Sequence, residues 1–356
     1  MTQRTRQGTV AATLLLLTTA AGCVGQTGPA RIPQNRGTVH PAPSAAGGAG
    51  ATRGFTLVAS GDMLAHDSVV GRARADAGGD SYDFRPMLAG IKPVVSRADL
   101  AICHYPTTTS LPQLAKALGS TGYDSCSTTS NQSLDALDTA GVRHAGSART
   151  AAEARRPAWL KAGGAKVAQL AYTSGTNGSA PAEKRPWAVS LIDEKKIVAD
   201  ARAARRAGAD VVVVSLDWGA RWQTEPDEHQ LNLGRRLTES TGAGRPDIDL
   251  VLGTRAQVPQ PYEKVNGTWI VYGMGAVHGS IGRFTFAPPA EPGRRWVVKK
   301  AEFVPAWMDT DAGRVINLPE ALRRGADRDE LREAQQAIRA AVLGRGAAGD
   351  GLTLGR

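Results

Sequence analysis

The sequence predicts an α/β fold, a sheet covered on both faces that gains antiparallel strands near the C-terminus. Two patterns predict it. Short, continuous apolar runs alternate with helical periodicities through most of the chain, the signature of strands buried on both faces. The last third instead shows strand-type alternation without intervening helices.

Taken in order, residues 55–60 read as a buried strand ending at Gly61-Asp62. Further strands are expected at 99–103, 166–172, 211–216, 248–252 and 268–272. Helices are expected at 86–96, 134–140, 194–207 and 228–241. Residues 283–286 and 296–303 alternate apolar with polar and predict antiparallel edge strands, and 319–343 predicts one closing amphipathic helix. Nothing between 55 and 318 resembles a linker, so one domain is expected there. In open α/β sheets the chemistry lies beyond the carboxyl ends of the strands. That rule selects Gly61-Asp62, residues 104–107, Ser130-Asn131-Gln132, Asp217-Trp218-Gly219 and residues 253–261.

The N-terminus carries Arg4 and Arg6, an apolar run through Leu14, Leu15, Leu16 and Leu17, and then Ala20-Ala21-Gly22-Cys23. This is the layout of a secretory signal peptide. The run falls short of the roughly 20 apolar residues of a spanning helix. The small residues before Cys23 resemble a bacterial lipobox, so residues 1–23 are expected to be a lipoprotein signal with Cys23 the lipidated residue. Residues 24–54, rich in Gly, Pro, Ala and Thr, read as a flexible tether. The expected location is therefore the outer face of a bacterial membrane, with the membrane reached through the lipid.

The formal charge is +10, mostly arginine dispersed over helices without interleaved aromatics or a nucleic-acid motif. That pattern argues against nucleic acid and is met either by an ordinary solvated surface or by attraction to an anionic envelope polymer or a membrane-associated partner. Beyond Cys23 only Cys103 and Cys126 remain, and an even count in an exported chain makes them candidates for a disulfide. No phosphate-binding P-loop, His-Glu-x-x-His or Gly-x-Ser-x-Gly elbow is present.

A set of short blocks recurs in a recognisable order. They are Ser60-Gly61-Asp62-Met63, Tyr82-Asp83-Phe84-Arg85-Pro86, Ala98-Asp99-Leu100, Val214-Ser215-Leu216-Asp217-Trp218-Gly219, Asp249-Leu250-Val251-Leu252-Gly253, Gln260-Pro261 and Val271-Tyr272-Gly273-Met274-Gly275. Through them the chain resembles the CapA (poly-γ-glutamate capsule) family, over roughly residues 55–310, leaving 311–356 as a C-terminal helical extension and tail. The resemblance implies a metallophosphoesterase-like layered α/β sandwich and a role in poly-γ-glutamate or capsule handling.

It also implies a two-metal site, and most of that site's ligands are replaced here. The family's Asn-x-Glu is met by His104-Tyr105-Pro106, its Asn-Asn-His by Ser130-Asn131-Gln132, its His-Trp-Gly by Asp217-Trp218-Gly219, and its Gly-x-His-x-His by Gly253-Thr254-Arg255-Ala256-Gln257. The chain is also shorter than the family after Ser110 and after Leu134. Proline has no side-chain donor, glutamine is a weak neutral ligand, and arginine brings a permanent positive charge. Asp62, His104, Asn131 and Asp217 remain as metal-capable residues, with Asp62 and Asp217 the candidate catalytic groups. Arg255 is the candidate replacement for a cation, set between the two carboxylates.

Two readings follow. One is a binding or scaffold protein that needs no cofactor. The other is a hydrolase of a phosphoester or acyl-γ-glutamyl bond that uses a single, weakly held Mn, Mg, Zn or Fe ion.

Overall fold

The chain builds two sheets in turn and then returns to the first. The computed structural model describes residues 53–356 except 107–110, 176–184, 277, 292–294 and 327. The expected signal segment, the expected lipidation site at Cys23, nearly all of the expected tether and the junction at Ser110 lie outside the described residues. Within Gly48–Arg356 the chain forms one compact unit.

The first pass lays down β1 (Phe55–Asp62), α1 (Asp67–Asp76), α2 (Arg85–Leu88), α3 (Lys92–Val95), β2 (Leu100–Tyr105), α4 (Pro112–Thr121), β3 (Ser125–Thr128), α5 (Leu134–Thr139) and β4 (Arg143–Ala145). The second lays down β5 (Ala158–Ala162), β6 (Ala165–Thr173), α6 (Glu194–Arg206), β7 (Val211–Asp217), α7 (Glu228–Glu239), the short pair β8 (Thr241–Gly242) and β9 (Arg245–Pro246), then β10 (Leu250–Thr254), β11 (Tyr262–Val265) and β12 (Thr268–Val271). The chain then returns with β13 (His278–Ala287), β14 (Val297–Asp309), β15 (Arg314–Asn317), α8 (Leu318–Arg323), α9 (Asp329–Leu343) and β16 (Leu352–Leu354).

The first sheet runs β15-β14-β13-β1-β2-β3-β4, with β16 also on β14, and the second runs β11-β12-β10-β7-β6-β5. Strand side chains alternate between faces, and here both faces are apolar. Leu57, Ala59, Leu100 and Ile102 meet Val211, Val213, Leu250 and Leu252 between the sheets. The alternate residues point outward. Val58, Ala101 and Cys103 lie under Phe84, Leu114 and Leu118. Val212, Val214 and Val251 lie under Ile197, Ala201, Leu233 and Leu237. The result is a helix–sheet–sheet–helix sandwich, which explains why the central strands read as continuous apolar runs.

Four expectations need correction. Residues 86–96 do not form one helix but α2 and α3, each with a proline in its first turn. At the break, a Cβ on Gly90 would sit 2.1 Å from the Val315 carbonyl oxygen, so backbone passes close to backbone there. Residues 319–343 likewise divide into α8 and α9, with Gly325 at φ +84° following α8. The antiparallel strands are not confined to the edge. The parallel series β1–β4 grows in one direction, leaving the other side of β1 to be filled by β13 running antiparallel. Finally, residues 311–356 are no extension, because β15 and β16 pair with β14 and Leu331, Ile338, Val342 and Leu352 enter the core between the sheets.

Cys103 and Cys126 are register partners on β2 and β3, both buried, and the structure joins them in a disulfide with Cα atoms 4.4 Å apart. Their separation of 23 residues closes a loop for which the chain-entropy account gives about 3 kcal/mol. Urea unfolding with and without a reductant should show a lower midpoint for the reduced protein, corresponding to an unfolding free energy smaller by that amount. Coincident curves would show that the bond contributes nothing to stability.

Candidate functional site

At the carboxyl ends of the central strands, apolar filling between the sheets gives way to polar side chains. Gln169, Thr173, Ser215 and Asp217 are buried on the inward parity of β6 and β7. Asp217 stands beside Thr173 on one side and Thr254 on the other. From the first sheet come Asp62 and His104, register neighbours on β1 and β2. Strict alternation would turn Asp62 outward with Val58 and Ser60. Between Ala59 and Asp62 the register shifts, three residues on β1 spanning two on β2. This bulge re-aims Asp62 to the inward face beside His104. The neighbouring Gly61 is needed for a close approach, since a Cβ there would lie 1.9 Å from the Gly275 carbonyl oxygen.

The imidazole of His104 bridges the sheets. Its Nε2 lies 3.6 Å from Asp62 Oδ1 and 3.5 Å from Asp217 Oδ1, while Nδ1 is 2.8 Å from Ser127 Oγ. These bridging distances are too long for full hydrogen bonds, so charge attraction carries the contact. Thr173 donates to Asp217 Oδ2 at 2.5 Å. Burial pushes Asp62 up to about 6, against the pull of His104. Burial alone would lower His104, but the Asp217 and Asp62 carboxylates outweigh it and raise the imidazole above its ordinary value. Burial would equally raise Asp217, but His104, Thr173 and Arg255 together hold it below the usual carboxylate range.

Arg255 does not sit between the carboxylates. Its guanidinium pairs with Asp217, Nη1 to Oδ2 at 3.1 Å, whereas Asp62 receives only the main-chain N–H of Arg255, at 3.4 Å. His104 holds the central place because it arises from the strand next to Asp62 and faces Asp217 directly. Arg255 and Gln257 have φ of +82° and +61°, a conformation that non-glycine residues adopt at a cost.

Asp62, His104 and Asp217 place one ligand atom each within 4.8 Å of one another. Asp62 Oδ2 and His104 Nε2 are buried without hydrogen-bond partners. Those orphaned atoms fit one cation, held by Asp62, His104 and Asp217. A second cation finds no matching donors at Pro106, Gln132, Arg255 or Gln257. Asn131 turns its amide to the Ala148 carbonyl at 3.3 Å, and Gln132 is exposed. Asp62 does not cap α1, whose N-cap position is His66. Trp218, in the same block as Asp217, is fully buried and donates from Nε1 to the Tyr272 carbonyl at 2.8 Å, which anchors the loop rather than facing a ligand. Sequence reasoning missed Ser127 and Thr173. Thr173 follows an expected strand directly and was within reach of the strand-end rule, whereas the Ser- and Thr-rich β3 carries no apolar run to reveal it.

The profile described as bacterial capsule synthesis protein PGA_cap matches residues 56–277. The chain is 28% identical over 121 residues to the PGA biosynthesis protein CapA of Bacillus subtilis (strain 168), covering 34% of this chain and 30% of that protein. It is 23% identical over 156 residues to the capsule biosynthesis protein CapA of Bacillus anthracis, covering 43% and 35%. In each case the match spans about a third of the curated relative's length. Among solved structures it is similar to the putative 5'-nucleotidase of Staphylococcus aureus, with TM-score 0.46, 14% identity, and coverage of 71% of this chain and 54% of that one. A calcineurin-like phosphoesterase, YfkN, of Bacillus subtilis gives TM-score 0.42, 13% identity, and coverage of 71% and 90%.

If the Arg255 guanidinium takes a cation's place beside Asp217, removing it should admit one. Titration of Arg255→Ala with manganese should show roughly tenfold tighter binding or more than the unaltered chain, since a unit charge a few ångströms away counts for kcal/mol. Equal affinities would remove that role from Arg255.

Proposed function

This chain belongs to the bacterial capsule synthesis protein family, and from that premise we propose that it binds an anionic envelope polymer of the poly-γ-glutamate kind without hydrolysing it. The observation that carries this reading is the Arg255–Asp217 pair. A fixed guanidinium stands where hydrolysis by a two-metal site would need an imidazole ligand. Beside it lies a cavity of about 470 Å³ lined by Gly219, Ala220, Arg221 and Arg255. Its two arginines suit a carboxylate, because the planar guanidinium fork matches that group's geometry. In this reading the chain is an exported lipoprotein, held through Cys23 on the outer face of the membrane. No described helix is long and apolar enough to cross a membrane.

A second reading is supported by the orphaned Asp62 Oδ2 and His104 Nε2. With a single cation held by Asp62, His104 and Asp217, the protein would be a one-metal hydrolase. The ion would polarise a phosphoryl or acyl oxygen. Thr173 would keep Asp217 oriented, and Ser127 would fix the His104 ring with Nε2 toward the ion.

Metal analysis of the purified full chain, together with a phosphoesterase assay supplemented with manganese, separates the two. The binding reading expects substoichiometric metal, no turnover, and retention of poly-γ-glutamate that Arg255→Glu weakens. Stoichiometric metal with turnover that Asp62→Ala abolishes would establish the one-metal hydrolase in its place.

A further inference from the structure

A second concave surface lies at the other end of β1, on the outer face of the first sheet. Thr56 and Val58 of β1, Arg283 of β13 and Lys300 of β14 form its floor, with α3 and α8 as walls. The cavity measures about 770 Å³. Its lining carries six cationic side chains, Arg97, Arg283, Lys300, Arg323, Arg324 and Arg356, against the Glu302 and Glu320 carboxylates and the α-carboxyl group of Arg356, which accepts from Arg283 at 2.7 Å, a surplus of three.

The two side-chain carboxylates are already shared. Glu302 serves Lys300 at 2.9 Å and Arg283 at 3.8 Å. Glu320 is clasped by Arg323 and Arg324, each with a contact of 2.6 Å. The Arg97 and Arg356 side chains have no ion pair among the described residues, and both residues are exposed. Gathering like charges in a concave wall costs self-repulsion and focuses a positive potential into the cavity. A solvated surface would disperse them.

We propose that this cavity seats a linear polycarboxylate, at a place separate from the Asp62–His104–Asp217 group. A surplus of three charges calls for several anionic groups on one ligand. The concavity suits a chain and disfavours a flat membrane surface. Carboxylates are also the anions that these same cations already hold, through the guanidinium forks of Arg323 and Arg324 on Glu320. The inference goes beyond the strand-end reading, because it uses neither Arg255 nor Asp217.

The test titrates a labelled oligoglutamate peptide into the purified full chain, with an oligoglutamine of equal length as control. Oligoglutamate should bind, oligoglutamine should not, and affinity should fall with added salt. Arg97→Glu with Arg356→Glu should weaken binding by roughly tenfold or more, each reversal replacing an attraction with a repulsion. The neutral pair Arg97→Gln with Arg356→Gln should weaken it less. Wild-type affinity in the double reversal, with its thermal melt intact, would overturn the assignment. Loss of binding in Arg255→Ala together with wild-type affinity in the double reversal would place the peptide at the strand ends alone. Tighter binding of tripolyphosphate than of oligoglutamate would overturn the carboxylate assignment.

Discussion

Everything near the candidate site depends on the apolar contact between the two sheets. Leu57, Leu100 and Ile102 on one side and Val211, Val213 and Leu250 on the other exclude water from the space between. Burial of this kind stabilises by roughly 25 cal/mol per Å² of apolar surface, so the two sheets cannot drift apart or slide by a residue. Because the central strands of both sheets end on the same side, whatever terminates them is forced into the same small volume. Asp62, His104 and Asp217 meet there.

That meeting creates an electrostatic problem. Two carboxylates facing each other in a buried volume disfavour joint ionisation, and burying charge is costly unless it is paired. The structure resolves this unequally. Asp217 collects His104, Thr173 and Arg255 and stays below the usual carboxylate range, while Asp62, with one long main-chain contact and a distant imidazole, is pushed up to about 6. The Asp62–His104–Asp217 group is therefore a candidate place for one cation. The loop carrying Arg255 and Gln257 holds left-handed backbone at both residues.

Much of this was legible in the chain. Strands buried on both faces betray themselves by continuous valine and leucine, as in residues 211–216, and the strand-end rule then selected Asp62, His104, Asp217 and Arg255. The failures have physical causes. A helical periodicity does not report the close backbone contact at Gly90, so one expected helix became α2 and α3. Ser127 sits on a strand with no apolar run, and its importance arises only from standing opposite His104. The apolar residues of α9 announce an amphipathic helix but not that it completes the core between the sheets.

By itself the sequence determined the α/β class, the order of its strands and the residue types at their ends, because periodicity and side-chain chemistry are local properties. Tertiary structure alone decided which of those ends face one another. The bulge after Ala59 turned Asp62 inward, and sheet packing set His104 rather than Arg255 between the carboxylates. A bulge is a mismatch between two strands, and a bridge needs two sheets. Neither exists until the chain has folded.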